Sequence, residues 1–91
     1  MMATFWMSFC DPEKPRGSQF LGVALVDAAS FPEAMTVSHM SGCNPGGEIQ
    51  FVEFDDDLMA AIPDERRAAM DAAPRNTLMN RDELSRYGLD D

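Results

Sequence analysis

Positive charge is what this chain has least of. Its 91 residues carry 7 Lys+Arg against 16 Asp+Glu, a formal charge of −9. A general nucleic-acid binder needs a basic face to release counterions, so that class is excluded as an expectation, and an anionic membrane surface with it. Cysteine is scarce too, at two residues. Two cysteines make no disulfide framework, and free thiols suit a cytoplasmic protein. There is one His and one Trp, and no apolar run approaches the roughly 18 residues of a membrane span. The start, Met-Met-Ala-Thr-Phe-Trp, has no basic segment and reaches Asp11 early, so no signal peptide is expected. No internal repeat is present.

What remains is 45% apolar, which excludes a disordered acidic tail. Eight Met and eight aromatics supply a core that adapts to irregular gaps or to a neighbouring chain. A chain of this length makes one small domain, with a core completed by few elements or by an oligomer partner. The acid is uneven. Residues 1–50 carry a net −3 and residues 51–91 a net −6.

Alternation of apolar residues predicts a strand over 4–10, with Phe5, Met7 and Phe9 on one face and Trp6, Ser8 and Cys10 on the other. Pro12, Pro15 and Gly17 make 11–18 a loop. A second strand is expected over 19–27. It is apolar on both faces, as a central strand covered on both sides would be. Ser30 and Glu33 form a capping-box pattern for a helix with Phe31, Ala34, Met35, Val37 and Met40 on its apolar side, stopped at Gly42. A third strand follows over 48–54. Asp55, Asp56 and Asp57 end the sheet. Short helices are expected near 58–62, over 64–73 and, from the Asn80/Glu83 capping box, over 81–87. Met59, Ile62, Met70, Leu78, Leu84 and Tyr87 would pack them on the sheet or on a neighbouring chain. The fold class is α+β: a small β-β-α-β sheet over 1–54 with one packed helix. An acidic helical extension over 55–91 belongs to the same domain.

If the second and third strands pair in parallel, the loops 11–18 and 42–48 meet at one end of the sheet. Cys10, Lys14, Arg16, Gly17, Ser18, His39, Cys43, Asn44, Gly46, Gly47 and Glu48 then share a neighbourhood. The backbone N–H groups of Gly46 and Gly47 suit an anion nest, which Lys14 or Arg16 can complete from the facing loop. Ser18 lies in that loop as well. Glu48 or Asn44 can accept from a ribose hydroxyl or a base edge, and Trp6 offers a stacking surface. The same residues equally serve as a helix stop, a tight turn and core packing. Cys10, His39 and Cys43 form no recognised metal spacing and no complete catalytic set, so neither a metal, a cofactor nor an enzyme activity is expected. The acidic positions 53–57, 64–65, 71, 82–83 and 90–91 suit a basic partner surface, although five Arg interleave with them and can pair locally.

Residues 6–54 resemble a group of small phage and prophage proteins. The resemblance rests on Trp6-Met-Ser-Phe-Cys-Asp11, Gly17-Ser-Gln-Phe-Leu-Gly22 and Gly42-Cys-Asn-Pro-Gly-Gly-Glu48. Weaker continuations lie at Ile62-Pro-Asp-Glu-Arg66 and Arg81-Asp-Glu-Leu84. The group has no established activity, so no catalytic residue is carried over. The resemblance implies a phage setting, in the host cytoplasm. Two functions follow as expectations by analogy with that setting. One is an oligomeric protein that sequesters a phosphorylated nucleotide signal, cyclic or ADP-ribose-type, to counter host defence. The other is an acidic inhibitor of a defence or nucleic-acid-handling protein.

Overall fold

The computed structural model describes residues 2–89. Three strands, β1 (Ala3–Cys10), β2 (Phe20–Ala28) and β3 (Glu48–Phe54), form one sheet in the order β2-β1-β3. Helix α1 (Phe31–Met40) connects β2 to β3, and α2 (Asp56–Ala61), α3 (Asp64–Ala72) and α4 (Arg81–Arg86) follow. This is the small α+β fold that the patterning indicates.

β1 is the central strand, and this corrects the expectation that β2 would be. Both ladders on β1 are antiparallel. β2 and β3 therefore run in the same direction without being hydrogen-bonded neighbours. The crossover through α1 skips over β1. The expected parallel pair is not formed, yet its geometric consequence survives, because two strands antiparallel to a third start at the same end of the sheet.

The double-sided apolar pattern of β2 has the expected cause, cover on both sides, without the central position. The sheet is covered on both faces. On one face Phe5, Met7 and Phe9 of β1 and Ala24, Val26 and Ala28 of β2 pack with Ala34 of α1 and Cys43, all at most 3% exposed. Full burial of a Phe or Met side chain contributes roughly 1.5–3 kcal/mol, so this row is a main source of stability. On the other face Val23 and Leu25 meet Met70, Ala73, Met79, Leu84 and Leu89, with Trp6, Phe20, Phe54, Met59 and Ile62 around them. The strand period of two thus feeds two separate clusters.

β2 is also covered along its outer side. The segment 76–79 lies against it, with Val23 and Met79 exchanging backbone bonds of 2.9 and 2.8 Å and the Asn76 N–H donating to Leu25 O at 2.9 Å. Gly22 allows this approach, because a Cβ there would lie 2.8 Å from the Met79 carbonyl oxygen.

The helix ends follow local chemistry. Ser30 caps α1 by accepting from the Glu33 N–H at 3.3 Å, while the Glu33 carboxylate accepts from Ala29 N–H at 2.8 Å, one residue before the expected partner. The Asn80/Glu83 box is reciprocal. Asp55 does more than end β3. Its side chain accepts from Leu58 N–H at 2.8 Å and starts α2 two residues earlier than expected. Met40, expected on the apolar side of α1, is 83% exposed, and Tyr87 is 38% exposed. No helix among the described residues is long and apolar enough to cross a membrane.

Candidate functional site

The end of the sheet that receives both loops is well built. Cys10 pairs with Phe20 on one side and with Glu48 on the other. Gly47 sits against the Cys10 carbonyl with φ +78°, where a Cβ would overlap that oxygen. Here the glycine has a packing reason. Asn44 organises the rest of the turn. Its Oδ1 accepts from Gly46 N–H at 2.8 Å, and its Nδ2 donates to Ser38 Oγ at 3.1 Å and lies 3.4 Å from His39 Nε2. Ser38 is the buried polar residue of α1 and donates in turn to Met35 O.

These bonds bear directly on the expected anion nest. The Gly46 N–H is committed to Asn44, so it does not stand open beside Gly47. The cavity formed here, about 350 Å³, is lined by Asp11, Pro12, Glu13, Leu21, Pro45, Gly47 and Glu48. Three carboxylates and no base face it, a field that disfavours phosphate. Lys14, Arg16 and Ser18 are exposed in the loop and line no part of this cavity. His39 meets Asn44, and the Cys43 thiol donates to Ser38 O at 3.6 Å. Burial pushes the Cys43 pKa above its ordinary value, with a backbone hydrogen bond partly opposing it. No group of three or more His, Cys, Asp or Glu among the described residues is placed to hold a metal ion.

A second concavity lies on the opposite side of the structure from α1. It is a groove of about 480 Å³ lined by Trp6, Ser8, Phe20, Val23, Arg81, Asp82, Leu84, Ser85 and Leu89. Trp6 belongs here and is not at the loop end. β1 presents Trp6 and Ser8 on this face, β2 presents Phe20 and Val23, and α4 forms the wall. The groove continues toward β3 through Gln50 and Val52, and toward the 11–18 loop through Gly17 and Asn80.

Two guanidinium groups lie on its aromatic rings. Arg66 sits over Trp6 at 5.4 Å and Arg81 over Phe20 at 5.1 Å, within cation–π range. Neither makes an ion pair among the described residues, where the two ion pairs are Arg67–Asp64 and Arg75–Asp27. The expected pairing of acids with interleaved Arg is therefore sparse: Glu53, Asp55, Asp56, Asp57, Glu65, Asp71 and Asp82 remain exposed. Positions 90–91 lie outside the described residues.

The sequence carries no local signal for Phe20 and Arg81 as groove residues, or for Arg66 over Trp6 beside them. Their meeting depends on the C-terminal helices folding back across the sheet. The one available cue was that Trp6 and Ser8 share a face. No protein family, curated protein or solved structure matches the chain.

Proposed function

We propose that this is a binding protein that takes up a phosphorylated nucleotide in the groove beneath α4. The observation that carries the reading is the pair of aromatic-seated guanidiniums, Arg66 over Trp6 and Arg81 over Phe20, beside a concavity of about 480 Å³. That volume lies within the range of small-molecule sites. Flat guanidinium and aromatic surfaces suit stacking of a base, and an arginine that pairs with no carboxylate among the described residues suits a phosphate. Ser8 and Asp82 add polar groups for a sugar. In this reading the ligand sits on the sheet face. Lys14, Arg16 and the Gly46–Gly47 turn act as scaffold, because the cavity at the turn is acidic. In a phage setting, such a protein would hold a host nucleotide signal out of reach of its receptor.

Trp6 is the single tryptophan and reports on its own groove. Titration with a cyclic dinucleotide, ADP-ribose and ADP should change its fluorescence for at least one ligand. Arg81→Ala should abolish the change while circular dichroism stays native. Failure of all three at millimolar concentration rejects the reading.

The exposed acids favour a second reading, an acidic inhibitor of a basic protein surface. Asp55→Asn keeps the capping oxygen of α2, so D55N/D56N/D57N removes charge with the fold retained. Pull-down of a host protein should then weaken, most at low salt. Capture that is indifferent to these substitutions counts against it.

A further inference from the structure

β3 is the open edge of the sheet among the described residues. The outer side of β2 is bonded to 76–79, whereas β3 pairs with β1 alone. Exposed edges are usually protected by charged side chains, Lys above all, by Pro or by a bulge, and the charges of β3, Glu48 and Glu53, stand at or near its ends. The β3 sequence, Glu-Ile-Gln-Phe-Val-Glu-Phe, has no Lys or Pro, and its ladder with β1 runs without a register shift. α1 packs on β2 and leaves β3 lightly covered. Phe51 and Val52, one on each face, are 45% and 43% exposed.

We propose that β3 pairs antiparallel with β3 of a second copy of this chain, about a two-fold axis through Phe51. This register matches all seven residues of the strand with themselves. Phe51 meets the partner's Phe51, and Gln50 meets the partner's Val52. Glu48 faces Phe54 and Glu53 faces Ile49, so no carboxylate directly opposes another. Like charges directly opposite would destabilise the pair, and a register centred on Glu53 would create that clash. Phe51 already stacks on Phe31 at 3.9 Å. The dimer extends this stack into a row of four rings and the sheet to six strands. A shared edge of about 23 Å, at ~3.3 Å per residue, places the contact at the small end of specific interfaces. Association is therefore reversible and concentration-dependent. This proposal does not depend on the ligand reading above.

Sedimentation velocity of the full chain from 5 to 500 µM, ~100-fold in concentration, tests it at the weak end of the scale. A monomer–dimer equilibrium is expected. Phe51→Lys places two ammonium groups face to face and should weaken association at least ~10-fold. Met40→Lys adds the same charge at the far end of α1 and should leave it unchanged. Directly opposed residues have Cα atoms ~4.5–5.5 Å apart, within disulfide reach. In a Cys10→Ser background, Phe51→Cys should cross-link to itself. Ile49→Cys and Glu53→Cys should cross-link only when mixed. A monomer at 500 µM overturns the proposal. So does a dimer that a folded Phe51→Lys variant retains, or one whose cysteine pattern differs. If Phe51→Lys fails to fold, the cross-linking pattern decides.

Discussion

Gly47 and Gly46 are adjacent, share a left-handed backbone and differ in what surrounds them. Their φ angles are +78° and +85°. A Cβ at Gly46 meets nothing within 4 Å, while a Cβ at Gly47 overlaps the Cys10 carbonyl oxygen and approaches Leu21 Cδ1 at 3.5 Å. Alanine at either site must adopt a conformation that costs an L-residue ~1–2 kcal/mol, partly offset by ~0.4–1 kcal/mol from a less flexible unfolded chain. Gly46→Ala should therefore lose about 1 kcal/mol. Gly47→Ala bears the same strain and must also displace backbone, which cannot rotate away as a side chain can. Overpacking of that kind costs about 1–3 kcal/mol more, for a total of about 2–4 kcal/mol. The obstructing oxygen lies where β1 meets both neighbours, so the shift spreads into two ladders. Urea unfolding followed by Trp6 fluorescence measures both variants. A thermal midpoint should fall by roughly 4–8 °C per kcal/mol in a domain of this size. If the two variants agree within ~0.5 kcal/mol, the close approach at Gly47 has no energetic weight and the reasoning fails.

Three further predictions concern the thiols and α3. Cys43 is buried and Cys10 partly exposed, so iodoacetamide at pH 8 should label Cys10 first and Cys43 only after denaturant is added. Equal labelling rates would contradict the burial. Because burial raises the Cys43 pKa, the folded state holds its proton above the pH at which the unfolded thiol, near 9.0, releases it. That contribution is fully present below pH 9 and is lost as pH rises through the folded value, and Cys43→Ala should flatten this part of the stability profile. Arg67 donates to Met59 O, Ala60 O and Ile62 O and to Asp64 Oδ1, tying the end of α2 to α3. Arg67→Met keeps the aliphatic stem and should lose about 1–2 kcal/mol in urea unfolding. Asp64→Asn, which changes an exposed carboxylate in an i,i+3 pair, should lose no more than ~0.5 kcal/mol. A reversed order would show that the carbonyl contacts are not the source.

Local chemistry was legible in the sequence and long-range assembly was not. Ser30, Asn80 and Gly42 act within one turn, and their roles could be read from neighbours in the chain. The alternation in 4–10 correctly divided Phe5 from Trp6. The same residues cannot say which strand is central. Apolar cover on both faces of β2 looks identical whether its neighbours are strands or a strand and an irregular segment. The Gly-Cys-Asn-Pro-Gly-Gly run drew attention because its composition is unusual. The structure gives Gly47 a packing reason and Asn44 a turn-building one. The groove brings Phe20 and Arg81 together, with Arg66 over Trp6 beside it, ordinary residues far apart in the chain that no composition or spacing marks.

The sheet also divides the molecule energetically. Its two clusters touch through backbone more than through side chains, since successive residues of β1 and β2 point to opposite faces. Substitutions such as Val26→Ala on the α1 side and Met70→Ala on the other share no side-chain partner in the two clusters. Their effects should therefore add, within ~0.3–0.5 kcal/mol, as they do for independent sites. The consequence is evolutionary as much as thermodynamic. Either face can drift, repack or acquire a new pocket without compensation from the other, so long as the three strands between them keep their register.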